Sequence, residues 1–355
     1  MAVLTWISAW VFVAGPTKQG SLLARWDRWD EGIFTSVAQH WYFAAGTDPR
    51  HVAFFPGFPI AMWLAHLVVW NWIAAGLVVS AAAGAIATMA LGRLARDEVD
   101  ASNADADAGQ AAANATLFFV LAPAAVFLAA GYSESLFAAF AFSAWVAARR
   151  DRWWLAGLLA AGASTVRVNG LFLAAAIALE FILAGRERRQ WRQAPLLVIP
   201  ALPVIAYVVY LHHETGDWLA WQHAQAAGWF RTFQSPESAW NQTWRAAFGG
   251  TQAGHTAWVF QLELIAVVIG LALTALLLLK RRWPEALYVA LSLLALGTTT
   301  WFMSVPRAML LWWPLWTMLG AWAARRPMVR TLYVCCVAPV MVGVALLFLS
   351  GQWAG

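Results

Sequence analysis

Apolar runs long enough to cross a bilayer recur along nearly the whole chain, and that limits what it can fold into. In hydrocarbon every backbone N–H and C=O must be satisfied within the protein, so such a chain becomes a bundle of helices. Of its 355 residues 62% are hydrophobic and only 12% charged, the balance of an all-α polytopic membrane protein rather than of a soluble protein with an anchor. The formal net charge of +5 does not point to nucleic acid. Lys and Arg fall in small clusters between apolar runs, as orientation signals do, and form no single patch. Many of the 25 Trp residues sit near the ends of apolar runs, as in an interfacial aromatic belt.

The basic clusters orient the chain. Arg93 with Arg96, the group Arg149, Arg150 and Arg152, and the group Arg186, Arg188, Arg189 and Arg192 are assigned to the cytoplasm. So are Lys280 to Arg282 and the group Arg325, Arg326 and Arg330. Residues 57–70 would rise only roughly 21 Å as helix, against a hydrocarbon core of ~30 Å, so they read as a short helix on or dipping into the outer face. Parity then gives about eleven spans, at 2–16, 72–94, 113–131, 134–148, 153–168, 169–185, 195–212, 258–279, 285–303, 307–323 and 331–349. The N-terminus lies inside and the C-terminus outside. The first run has no charged segment before it and reads as a signal anchor, with upstream residues expected to lie outside this chain. The whole of 1–355 is expected to form one transmembrane domain. Its outer loops, 17–71 and 213–257, would make the active face. Residues 97–110, acidic and Ala-rich, read as a flexible linker.

The densest acidic and aromatic cluster, Asp27-Arg28-Trp29-Asp30-Glu31, follows the first run. A carboxylate beside a membrane must be solvated, paired or working as a base. Trp29, Ile33, Val37 and Trp41 fall on one helical stripe, with Phe34 and Ala38 beside them, which predicts an amphipathic helix lying on the outer surface. Asp30 would start it, where the helix dipole favours a charged carboxylate.

Other polar residues reach the same face: His40, Tyr42, Arg50 and His51, then Tyr132 to Ser135, Arg167 with Asn169, His212 to Asp217, and Ser304 to Arg307. For a single Arg, snorkelling to the interface is the cheaper explanation, but convergence of the set argues for a site. An outer carboxylate can take a hydroxyl proton while boundary cations hold a lipid phosphate, which suits chemistry on lipid-carried substrates.

No zincin, P-loop or dinucleotide pattern is present. Cys335 and Cys336 are neighbours in one apolar run and cannot frame a disulfide. No metal or cofactor is expected. The other class considered is a secondary transporter or flippase of a lipid-linked or small polar substrate. Glu180 and Glu263, at or near span ends, would serve it, but no internal repeat supports it. A non-catalytic partner of another membrane transferase is the third reading.

Several strings resemble the PIG-V-type mannosyltransferases, the GPI mannosyltransferase 2 family. They are the stretch from Arg28-Trp29-Asp30-Glu31 to Trp41-Tyr42, Phe54-Phe55-Pro56-Gly57-Phe58-Pro59, Phe127 to Phe137 around Gly131-Tyr132-Ser133-Glu134, Arg167-Val168-Asn169-Gly170, and Pro306-Arg307. They come in family order over roughly residues 26 to 320. The resemblance implies a GT-C type integral membrane glycosyltransferase that uses polyprenyl-phosphate-mannose and carries an essential Asp in its first outer loop. By position that residue is Asp30, with Asp27 as fallback and Glu31 as a supporting acid.

It further implies inverting transfer to a lipid, glycan or protein acceptor. Asp30 would act as general base, Arg167 or Arg307 would bind the donor phosphate, and His51, Tyr132, Glu134 and Asn169 would orient sugar or acceptor. The first run is shorter than in eukaryotic members. The Ala-, Trp- and Arg-rich composition suits a high-GC bacterium, which would place the site on the extracytoplasmic face of its plasma membrane.

Overall fold

The computed structural model describes residue 1, residue 4, residues 22–101 and residues 106–355. Every regular element among them is helical. The expected first span, 2–16, lies outside the described residues.

From residue 30 onward the α-helices are α1 (Asp30–His40), α2 (Gly57–His66), α3 (Trp72–Ala101), α4 (Ala108–Val120), α5 (Val126–Ala129) and α6 (Ser133–Arg149). Then follow α7 (Trp153–Val166), α8 (Gly170–Leu183), α9 (Ala201–Thr215), α10 (Ala220–Trp229) and α11 (Pro236–Phe248). The last are α12 (Gly254–Leu279), α13 (Trp283–Gly297), α14 (Val305–Met309), α15 (Trp313–Arg325) and α16 (Pro327–Leu349).

Among the described residues, 4 helical segments are long and apolar enough to cross a membrane: Trp72–Val99, Trp191–Thr215, Gly254–Leu279 and Pro327–Leu349. Shorter apolar helices lie at Trp153–Val166, Gly170–Leu183 and Trp283–Gly297. Two expected spans are broken. In 113–131 the helix stops at Val120, and a turn leads to the one-turn α5. In 307–323 the short α14 is separated from α15, whose first turn carries Pro314. α2, ten residues long, is a short helix within the expected 57–70.

The linker reading of 97–110 needs correction at both ends. α3 runs on through Asp97 to Ala101, and the Asp107 carboxylate accepts from the N–H groups of Gly109 (2.7 Å) and Gln110 (3.2 Å), so it caps α4.

The chain divides into two compact units. The first takes residues 1–35, 61–142 and 310–354, the second 36–60 and 143–309. In the first, α3, α4 and α15 pack closely through small residues. A Cβ on Gly320 would stand 2.6 Å from the Ala111 carbonyl oxygen and 2.7 Å from Ala115 Cβ, an approach that only glycine permits. In the second, α12 packs on α11 and α13, and α8 on α7 and α13. There Glu180 pairs with Arg149 (3.2 Å) and Arg188, whose guanidinium also binds Asp151 (2.9 Å). Glu180 is thus one member of an ion-pair group.

Candidate active site

In the first unit the acidic segment is held from below by Tyr132. Trp29, at φ 53°, turns the chain through the left-handed region, which bulky residues seldom enter, and α1 starts at Asp30. The buried Tyr132 hydroxyl donates to the Arg28 carbonyl (2.9 Å) and accepts from the Asp30 N–H (3.2 Å). Its ring meets Phe127, Phe348 and Phe34 edge-on. Asp30 is therefore half-buried at a helix start whose backbone is pinned on both sides.

Asp27 and Glu31 divide the acidic work. Asp27 is exposed, whereas Glu31 is fully buried. Glycines make room for Glu31: a Cβ on Gly131 would lie 2.8 Å from its Cγ, and one on Gly76 would lie 3.8 Å from its Oε1. The Thr35 hydroxyl reaches Oε1 at 3.4 Å. Burial pushes the Glu31 carboxyl up to about 9; the Asp27 carboxyl adds to this through a hydrogen bond and its charge, and Thr35 opposes it. At neutral pH Glu31 keeps its proton.

Beside this segment, Leu22, Leu23 and Trp26 join Leu77, Ala81 and Ala85 on one face of α3 around an apolar cavity of about 710 Å³. Ser80, also on its wall, donates to the Ala130 carbonyl (2.6 Å), just ahead of Gly131 and Tyr132. Glu134 is fully buried in the first turn of α6, in the same unit.

The second unit holds His51, Arg167, Asn169 and Arg307. Asp48 caps the 3-10 helix Pro49–Ala53 and grips the Arg50 guanidinium; hydrogen bonds from Arg50 hold its carboxyl at about 2. Burial lowers the half-buried His51 imidazole below its ordinary value, against the pull of Asp48. Three consecutive carbonyls after His51 are then tied down. Tyr207 donates to Val52 O (2.8 Å) and Phe54 O (3.0 Å), Tyr42 to Phe54 O (2.8 Å), and Trp221 and Gln225 each to Ala53 O (3.0 Å).

This fixes the entry to Phe54–Pro59, whose glycine has a clear purpose. A Cβ on Gly57 would come within 2.7 Å of the Thr165 backbone, so α2 starts hard against the end of α7. Arg167 follows at that end, in extended backbone, with its carbonyl accepting from Gly170 N–H (3.0 Å). Gly170 packs on Ser164 closer than any Cβ could tolerate. The structure thus brings together the strings around Gly57 and around Arg167 to Gly170, which lie far apart in sequence. Arg167 lies within electrostatic reach of buried Tyr288, and the Asn169 backbone carbonyl accepts from Leu173 N–H (3.1 Å) as α8 begins.

Arg307 is buried in α14, and the turn before it is fastened at three N–H groups. Thr243 Oγ1 accepts from Phe302 N–H (2.8 Å), Glu263 Oε1 from Ser304 N–H (2.7 Å) and Oε2 from Val305 N–H (2.8 Å). The sequence reading gave Thr243 no part and set Glu263 on the side of a transporter. An acid inside an apolar span was the available signal.

The second-loop histidines have local partners: His212 stacks on Trp218, His213 contacts Glu214, and His223 contacts Asp217. Among the described residues no group of three or more His, Cys, Asp and Glu is arranged to hold a metal ion.

Helices long and apolar enough to cross a membrane, with an acidic segment in the first unit and the buried Arg307 on a short helix of the second, define a polytopic membrane protein. Residues 11–187 match the family model described as Mannosyltransferase (PIG-V), and the chain belongs to that family. It is similar to the GPI alpha-1,6-mannosyltransferase 2 of Rattus norvegicus, 39% identical over 158 residues that cover 42% of this chain and 30% of that protein. The Mus musculus protein of the same name is 37% identical over 174 residues, 47% of this chain and 33% of its own length. The Homo sapiens protein is 35% identical over 155 residues, 42% and 30%. The matched stretch thus spans about a third of each relative. No solved structure matches.

Proposed function

We propose that the protein is a GT-C type mannosyltransferase that transfers mannose from polyprenyl-phosphate-mannose to a hydroxyl acceptor at the outer membrane face. The observation that carries this reading is the pinned acidic segment: the stretch that matches the family contains Asp30, and Tyr132 holds its backbone at the start of α1. Asp30 takes the proton of the acceptor hydroxyl as the oxygen attacks the anomeric carbon. The bond from that carbon to the phosphate oxygen breaks, its electron pair leaves with polyprenyl phosphate, and the configuration inverts. A phosphate leaving group needs charge stabilisation more than a proton, which suits Arg307 and Arg167.

Glu31, uncharged at neutral pH, serves as hydrogen-bond donor to Asp27 and leaves the segment fewer like charges to oppose the Asp30 carboxylate. The cavity beside Trp26 offers apolar surface to the polyprenyl chain. Its relatives' printed name supports an acceptor in the class of mannosylated glycolipids. Family membership weighs for transfer over transport, and the pairing of Glu180 with Arg149 and Arg188 accounts for one of the acids a transporter would need.

The test is purified protein in lipid with radiolabelled polyprenyl-phosphate-mannose and a membrane lipid extract, comparing wild type with Asp30→Asn. Label should move to a new product with wild type alone. A fully active Asp30→Asn protein would sink the assignment.

A further inference from the structure

Glu263 sits about a third of the way along α12, fully buried in a helix apolar enough to cross the membrane. A carboxyl at such a place is costly without partners. Both of its oxygens accept backbone N–H bonds from the turn that leads into α14, the arrangement of a carboxylate. Ser304, between them, is held at φ 66°, a backbone state a serine adopts only under such constraint. Two guanidinium groups lie within electrostatic reach, those of Arg307 and Arg231.

Arg231 comes from the second outer loop, and the structure shows what brings it there. The Phe230 carbonyl accepts from Thr300 Oγ1 (2.6 Å), Thr232 and Thr300 hydroxyls meet at 2.9 Å, and Gln234 N–H donates to Thr298 O (2.9 Å). Residues 230–234 are laced to 298–300, a few residues ahead of the turn that Glu263 caps. Phe230 closes α10 in the left-handed region at φ 54°, immediately before Arg231.

We infer that Arg231 and Arg307 together bind the phosphate of the lipid-linked sugar, with Glu263 as the positioning residue that holds the Arg307 turn and balances the pair. This rests on the transfer reading above. Two guanidiniums within reach of one carboxylate form a group that attracts the single negative charge of a phosphodiester. When the anomeric bond breaks, negative charge grows on the departing phosphate, where fixed cations stabilise it most. Planar guanidinium groups also match phosphate oxygens in geometry.

The experiment uses the full chain in lipid nanodiscs and measures binding of polyprenyl phosphate, with polyprenol of equal length as the uncharged comparison. Arg231→Gln and Arg307→Gln should each weaken phosphate-lipid binding about tenfold, the loss of one charge-assisted contact, while polyprenol binds as before. Arg231→Lys, which keeps the charge, should recover part of the loss. Glu263→Gln makes the site more positive yet leaves one of the two N–H groups without its acceptor. It should weaken phosphate-lipid binding and raise KM for the donor more than it lowers kcat. An Arg231→Gln protein that binds like wild type overturns the inference, as does tighter binding by Glu263→Gln, which charge alone would give.

The transfer assay separates the two readings. If wild type binds polyprenyl phosphate through Arg231 but moves no mannose, the anion site stands and the transferase reading falls. If wild type moves mannose and Arg231→Gln keeps its donor KM, the reverse holds. Failure of wild type to bind polyprenyl phosphate sinks the anion site, and transfer is then judged by its own assay.

Discussion

Two fully buried glutamates serve this molecule in different ways. Glu31, in the first unit, is walled by glycines, meets one hydroxyl and faces the carboxyl of Asp27. Glu263, in the second, gives each oxygen to a backbone N–H and has two guanidiniums in reach. The same side chain at the same burial therefore does two jobs. Glu31 is a neutral hydrogen-bond donor beside the acid expected to work as a base, and Glu263 is an acceptor that shapes a cationic turn. Partners, not burial alone, decide what a buried acid does.

On the proposed function, the acidic segment carries the chemistry and the basic turn carries binding. Asp30→Asn should therefore cost on the order of 10²–10⁴-fold in transfer, the usual worth of a general base, with donor binding unchanged. Equal losses in binding and turnover would break the division of labour.

Stability should separate the two glutamates next. Glu263→Ala strands two buried N–H groups and leaves the arginines without their counter-charge, a change that costs about 3–5 kcal/mol. Glu31→Gln replaces one neutral group by another of like size, and because Gln has no proton to lose on unfolding the variant should be at least as stable as wild type at pH 7. Thermal melting of the two variants in one detergent decides it; similar losses would mean that Glu31 is charged in the folded protein.

Much of this was legible before any coordinates. The helices Ser133–Arg149, Trp153–Val166, Gly170–Leu183 and α12 end close to where apolar runs meet charges or glycine. The helix at Asp30–His40 follows from a stripe of aromatic and branched residues. Hidden were the breaks after Val120 and Met309, because apolar composition is the same on both sides of a turn buried among helices. The string around Gly131 was legible as a pattern, but its reason was not. Only coordinates show that the missing Cβ is the space in which Glu31 lies. Arg307 stood out as a cation at a span end, whereas Glu263, 44 residues earlier, could not be tied to it by any local spacing.

The Glu31 proton gives a pH signature. Its carboxyl goes from the ordinary 4.5 to about 9 on folding, so between those values the unfolded chain has lost a proton that the folded chain keeps. Stability from this group is complete below about 4.5 and declines as pH rises through 9, at up to ~1.4 kcal/mol per pH unit. Glu31→Gln should flatten that decline in melting curves taken from pH 5 to 9.

The smallest expected effect tests how the acidic segment is held. Tyr132→Phe keeps the ring contacts with Phe127 and Phe348 and removes only the hydroxyl. The Arg28 carbonyl and the Asp30 N–H then lose a common partner, at a cost of about 1 kcal/mol. A change of that size would pass unnoticed if it only loosened the fold. Because these two groups fix where α1 begins, it should also move the Asp30 carboxylate relative to the acceptor hydroxyl. Transfer should fall about tenfold, more than the melting shift accounts for, with donor KM unchanged. If activity and stability fall in step, Tyr132 is packing alone, and the precision of the acidic segment must come from the glycine-walled seat of Glu31.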